Sequence, residues 1–162
     1  MLFRSWNDRH RYYLSAGTDT HDVWNDESGR VRAFAHVDGP LSAAAFAHAL
    51  KEGHAYVSFG PLMYPSVMFG STLKVAPDEA VTLSVDLASV SGLKAFTLVG
   101  DGVVVQRRDF ANAARETHLD FTLPPAQAHW YAFITEDIQG NKAYSDPIWI
   151  DIVRFPANSA AH

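Results

Sequence analysis

The second half of the chain is a procession of short alternating segments, and no other feature restricts the possible fold as much. "VTLSVDLA" (81–88), "LKAFTLV" (93–99), "VVVQR" (103–107), "THLDFTL" (117–123), "WYAFITE" (130–136) and "AYSDPIWIDIV" (143–153) follow one another, separated by turn residues. In a strand, neighbouring side chains point to opposite faces, so this alternation marks half-buried strands. "GDG" at 100–102 reads as a tight hairpin turn, because Asp-Gly accepts the positive φ that a type I′ turn requires. Strands of this length and spacing predict an antiparallel, immunoglobulin-like β-sandwich over residues 66–155. The remainder, "PANSAAH" (156–162), reads as a flexible tail.

The first 65 residues have a different character. Phe3, Trp6, His10, Tyr13 and Leu14 recur at helical spacing. Leu14 to Thr20 reads as a short buried strand, and residues 22–30 as a polar loop. "RVRAFAHV" alternates, and "DGP" (38–40) is turn punctuation. Ser42 is placed to cap a helix running to about Lys51, with Gly53 at its left-handed end. "HAYVSFG" then reads as a strand. The pattern is αβ, yet too short to close a sheet with helices on both faces. The expected class is therefore α+β, an incomplete αβ segment (1–65) followed by the sandwich. The helical pattern is already running by Phe3 with no capping residue before it, which points to a piece of a longer parent.

Composition removes several classes of function. The formal charge is −5 and no basic run occurs, so the phosphate-neutralising face that nucleic-acid binding needs is not expected. Nothing approaches the ~20 apolar residues of a membrane-spanning helix, and the N-terminus has no signal-peptide core. A soluble chain is expected, its compartment left open. With no cysteine there is neither a disulfide frame nor a thiolate ligand.

One decapeptide stands out. "SAGTDTHDVW" (15–24) places Asp19 and His21 two residues apart, on the same side of an extended chain and ~6.6 Å from one another along it. A carboxylate beside an imidazole suits Zn, Mn or Fe. The same tripeptide also fits an Asx-type turn with a hydrogen-bonded histidine, and both readings stand on the residues alone. A catalytic zinc usually takes about three protein ligands, and Asp19 with His21 makes two. Asp22, His36 and His54 are the nearest further donors, the two histidines reading more naturally as structural. His118 with Asp120 reads as the polar face of a sandwich strand, and His129 as an edge position. There is no G-x-S-x-G elbow and no phosphate-binding glycine loop. Trp24, Tyr64, Trp130 and Trp149 would suit a sugar platform or, more simply, a core.

Taken in order, these segments resemble a known family. "SAGTDTHD" is similar to the last metal motif, G-[ST]-D-x-H, of the PHP (polymerase and histidinol phosphatase) metal-dependent hydrolases. "SAAAFAHALKEG" and "HAYVSFGPLMY" resemble the segments that follow it, and "GNKAYSDPIWI" resembles the strand closing an appended β-sandwich. The resemblance implies that residues 1–65 are the end of a PHP barrel and that Asp19 and His21 ligate divalent metal ions. Those ions would activate water against a phosphoester or other small ester. The family's H-x-H motif and its intermediate Glu and His ligands are absent, so only a partial site, weakly active or inactive alone, is implied. Expected partners are the missing part of the barrel or a second copy. The alternative is a non-catalytic sandwich that binds a carbohydrate, a peptide or itself.

Overall fold

The computed structural model describes residues 2–22, 24, 28–125 and 127–153; the expected tail at 156–162 lies outside them. In chain order the elements are α1 (Leu2–Asn7), β1 (Arg32–Ala35), α2 (Ala43–Glu52), β2 (Ala55–Ser58), β3 (Leu62–Pro65), β4 (Thr72–Val75), β5 (Val81–Ala88) and β6 (Leu93–Gly100). They continue with β7 (Val103–Asp109), β8 (Glu116–Leu123), β9 (Trp130–Asp137), β10 (Lys142–Ser145) and β11 (Ile148–Ile152).

Two sheets result. The smaller is antiparallel, in the order β3-β5-β8. The larger is mixed. One side of β9 is flanked by β10 and β11 in succession and the other by β6, which carries β7 at the edge. Beyond β10 lie β2 and then β1, while β4 runs parallel to β11. The α+β expectation, a PHP-barrel remnant followed by an antiparallel sandwich, is thereby corrected. The strands drawn from the first 65 residues form no barrel: β1 and β2 extend the same sheet as β9 and β10, β3 joins the smaller sheet, and the β4–β11 pairing is parallel. "AYVS" is buried at all four positions. An apolar run of that kind reports burial without saying which sheet will enclose it.

Alternation works as expected where a sheet has one wet face. Val81, Leu83, Val85 and Leu87 of β5 turn inward while Thr82, Ser84, Asp86 and Ala88 turn outward or lie half-covered. The inward side chains meet those of the larger sheet. Phe96 stacks on Phe121 at 5.2 Å, and Phe133 meets Phe96 at 5.4 Å and Phe69 at 5.6 Å, edge to face. The opposite face of the larger sheet is also covered, by α1. Trp6 contacts Trp130 edge-on at 5.0 Å, with Phe3 5.4 Å from Trp130. Being enclosed on both faces explains the consecutive apolar residues of β6 (Ala95 and Phe96, Leu98 and Val99) and of β9 (Trp130 to Ile134).

Helix α1 is shorter than its pattern predicts. It ends in a Schellman motif, with the Arg9 N–H donating to Trp6 O and the His10 N–H to Ser5 O, both at 2.9 Å. The left-handed position in that motif, usually glycine, is held by Arg9 at φ 61°. The chain is then tied to the larger sheet by the Leu14 N–H, which donates to Asp146 Oδ1 at 2.7 Å. Tyr13 lies against Gly53, the left-handed cap of α2, where any Cβ would collide with its ring. Ser42 caps α2 as expected, accepting from the Ala45 N–H. The hairpin at Asp101 (φ 49°) and Gly102 (φ 85°) is likewise the positive-φ turn predicted for "GDG". No helix among the described residues is long and apolar enough to cross a membrane.

Candidate functional site

Asp19 and His21 sit in an irregular segment between α1 and β1. The expected buried strand from Leu14 to Thr20 does not form. No strand pairs with this stretch among the described residues, and its backbone leans on side chains instead, as at Leu14. Asp19 adopts a left-handed backbone, φ 49°. The departure from an extended chain folds the two side chains together, so that His21 Nε2 lies 3.4 Å from Asp19 Oδ2. Both are largely open to solvent, with side-chain exposures of 84% and 90%. Hydroxyl bonds brace the loop: Thr20 donates to Thr18 at 2.9 Å, and Ser28 donates to Thr20 at 3.4 Å. The Trp24 N–H donates to Asp22 Oδ1 at 2.9 Å, an Asx turn.

The other donors weighed from sequence do not join this pair. His36 contacts Asp38, 3.1 Å from Nε2 to Oδ1, and shares a pocket of about 300 Å3 with His54, Phe34 and Tyr56. No group of three or more His, Asp or Glu side chains suited to a metal ion occurs among the described residues. On the outer face of the smaller sheet, His118 lies between two carboxylates, donating from Nδ1 to Asp86 at 2.7 Å and from Nε2 to Asp120 at 3.1 Å. Those hydrogen bonds, Asp86 first, raise its pKa by favouring the charged ring. The aromatics divide: Trp130 and Trp149 are core, while Tyr64 is 56% and Trp24 90% exposed.

Two groups escaped the sequence reading. Asp146, at the kink between β10 and β11, is fully buried. Burial pushes its carboxyl up to about 8, against the opposing effect of the Leu14 N–H. Its Oδ2 has no hydrogen-bond partner among the described residues. "SDP" between two apolar runs was the available signal, since an Asp-Pro pair interrupts a strand. The second is a gathering of Arg9, Arg11 and His129 around Trp149. These residues are far apart in sequence and only the docking of the segment after α1 brings them together.

No protein-family profile matches the chain, and no curated protein matches it. Among solved structures, the chain is similar to an engineered protein from a structural-genomics programme (TM-score 0.37, 14% identity, covering 58% of this chain and 21% of that one). It is also similar to the MHC-like protein MILL2 (TM-score 0.37, 14% identity, 65% of this chain and 41% of that one). A lytic polysaccharide monooxygenase from Jonesia denitrificans aligns over 92% of this chain and 93% of its own, with TM-score 0.35 and 11% identity. The chain thus spans less than half the length of the first two. Scores this low do not establish a shared fold.

Proposed function

We propose that the chain serves a PHP-type metal-dependent hydrolase by contributing Asp19 and His21 to a divalent metal centre whose other ligands come from a separate polypeptide segment. The supporting observation is the convergence of one carboxylate and one imidazole, 3.4 Å apart and open to solvent, within the stretch that resembles the family's last metal motif. Oxygen and nitrogen donors of this kind fit Zn, Mn or Fe. Two donors fit such an ion only in part, so the centre needs a partner to complete it. Trp24 at 90% and Leu41 at 78% exposure leave apolar surface in the same half of the chain for a partner to cover.

When bound, the ion supplies Lewis acidity and a more acidic water for attack on a phosphoester. The residues' own part is to hold the ion. His21 must offer Nε2 as a neutral lone pair, so a proton and the ion compete for it, and Asp19 supplies the compensating charge. Ion affinity therefore rises with pH.

The test is a Mn2+ titration of the chain followed by NMR. His21 ring resonances are expected to broaden first among the histidines, more strongly as pH rises, and Asp19→Asn is expected to abolish the preference. Indifference of His21 while another histidine broadens would sink the reading.

A further inference from the structure

A pocket of about 110 Å3 opens on the flank of the larger sheet, lined by Arg9, Arg11, His129, Trp149, Ile150 and Asp151. We infer that it binds a phosphate group, held by the guanidinium groups of Arg9 and Arg11 with His129 beside them.

Each side chain is prepared differently. Arg11 is anchored: its guanidinium lies 5.0 Å from the centre of the Trp149 ring, and one of its nitrogens donates to Thr72 Oγ1 at 3.0 Å. The remaining N–H groups of a fork so held suit the parallel oxygens of phosphate. His129 is oriented through Asp101, which accepts from its backbone N–H at 2.9 Å and contacts Nδ1 at 3.0 Å. Nε2 is left for a ligand. Arg9 makes no side-chain hydrogen bond or ion pair among the described residues. It also occupies a backbone conformation that disfavours every residue with a Cβ, where glycine would be less strained. Strained positions of this sort collect at binding sites, because the side chain is kept for another purpose than folding.

Trp149, 5% exposed, forms the wall behind Arg11. Asp151 is the one carboxylate on the lining, opposed by two permanent cations. The volume falls well under the roughly 300 Å3 at which whole drug-sized ligands begin to fit. The pocket therefore takes the anionic group itself, either free phosphate or the end of a phosphomonoester. The inference does not rest on the Asp19–His21 reading, and its test is run in EDTA so that the two stand or fall separately.

The experiment titrates inorganic phosphate, methyl phosphate and acetate into the full chain at constant ionic strength, following Arg Nε and His129 resonances. Phosphate is expected to shift Arg9, Arg11 and His129 together. Arg11→Lys, which keeps the charge and removes the fork, is expected to weaken phosphate by about tenfold. Arg9→Gly separates binding from folding: its melting temperature should equal or exceed that of the parent, while phosphate affinity falls by about tenfold or more. Shifts with methyl phosphate identify a monoester as an accepted source, and shifts with inorganic phosphate alone identify the free ion. Acetate binding as tightly as phosphate, or Arg9→Gly and Arg11→Lys binding phosphate like the parent, overturns the inference.

Discussion

Residues 81–109 and residues 8–31 draw on the same alphabet of aromatic, acidic and small polar groups, and they fold by opposite means. In the first, backbone groups pair strand to strand, β5 alternates apolar and polar residues, and β6 buries nearly every side chain. In the second, the backbone finds no ladder among the described residues. Its order comes from a carboxylate under Leu14, a Tyr13 ring against Gly53 and a few hydroxyl bonds. The first region has one answer because many weak contacts agree on it. The second is held at a few points, leaving Asp19 and His21 free of structural duty. That division separates what keeps this molecule folded from what its chemistry would use.

The contrast can be broken by mutation. Phe133 is fully buried between both sheets, so Phe133→Ala should cost about 3–5 kcal/mol in chemical denaturation. A loss near zero would mean that the two sheets are not sharing one core.

Asp146 ties the segment after α1 to the larger sheet and should give a pH-dependent effect. Its folded pKa is raised, from 3.8 to about 8, so its protonated form is the one that suits the fold. The corresponding stability is fully present below about pH 4 and is lost as pH rises toward about 8, at up to ~1.4 kcal/mol per pH unit. Asp146→Asn should flatten that slope and stabilise the protein at pH 7, since its amide oxygen can still accept from the Leu14 N–H. Denaturation midpoints between pH 4 and 8 check the sign, and a slope that survives in the variant contradicts it.

The smallest effect belongs to the candidate ligands. Asp19→Ala and His21→Ala should change stability by no more than about 0.5 kcal/mol, as exposed positions do. A larger loss would show that the pair supports the fold.

What could be read from sequence follows the same line. "VTLSVDLA" announced β5 because one face is wet, and "GDG" announced its turn because few residues tolerate positive φ. Ser42 and Gly53 marked the ends of α2 for equally local reasons. Partnership was not local. "AYVS" named itself as a strand and "RAFA" as a strand or an extended segment, but neither as a member of the sheet that holds Trp130, and the helical spacing through Leu14 concealed the stop at Arg9, a residue with no glycine-like freedom. Asp19 and His21 were singled out by residue type, while their closeness depends on a backbone angle at Asp19 that the tripeptide does not announce. Arg9, Arg11 and His129 left no pattern, since a site assembled from both ends of a chain has no spacing to recognise.

The tie between Leu14 and Asp146 spans 132 residues. During synthesis, the partner of the early segment therefore leaves the ribosome long after the segment itself. Trp6 emerges long before Trp130 is there to cover it, and the sheet between them cannot close until its central strand arrives late. Until that strand arrives, the nascent chain carries a naked indole, a natural foothold for chaperones.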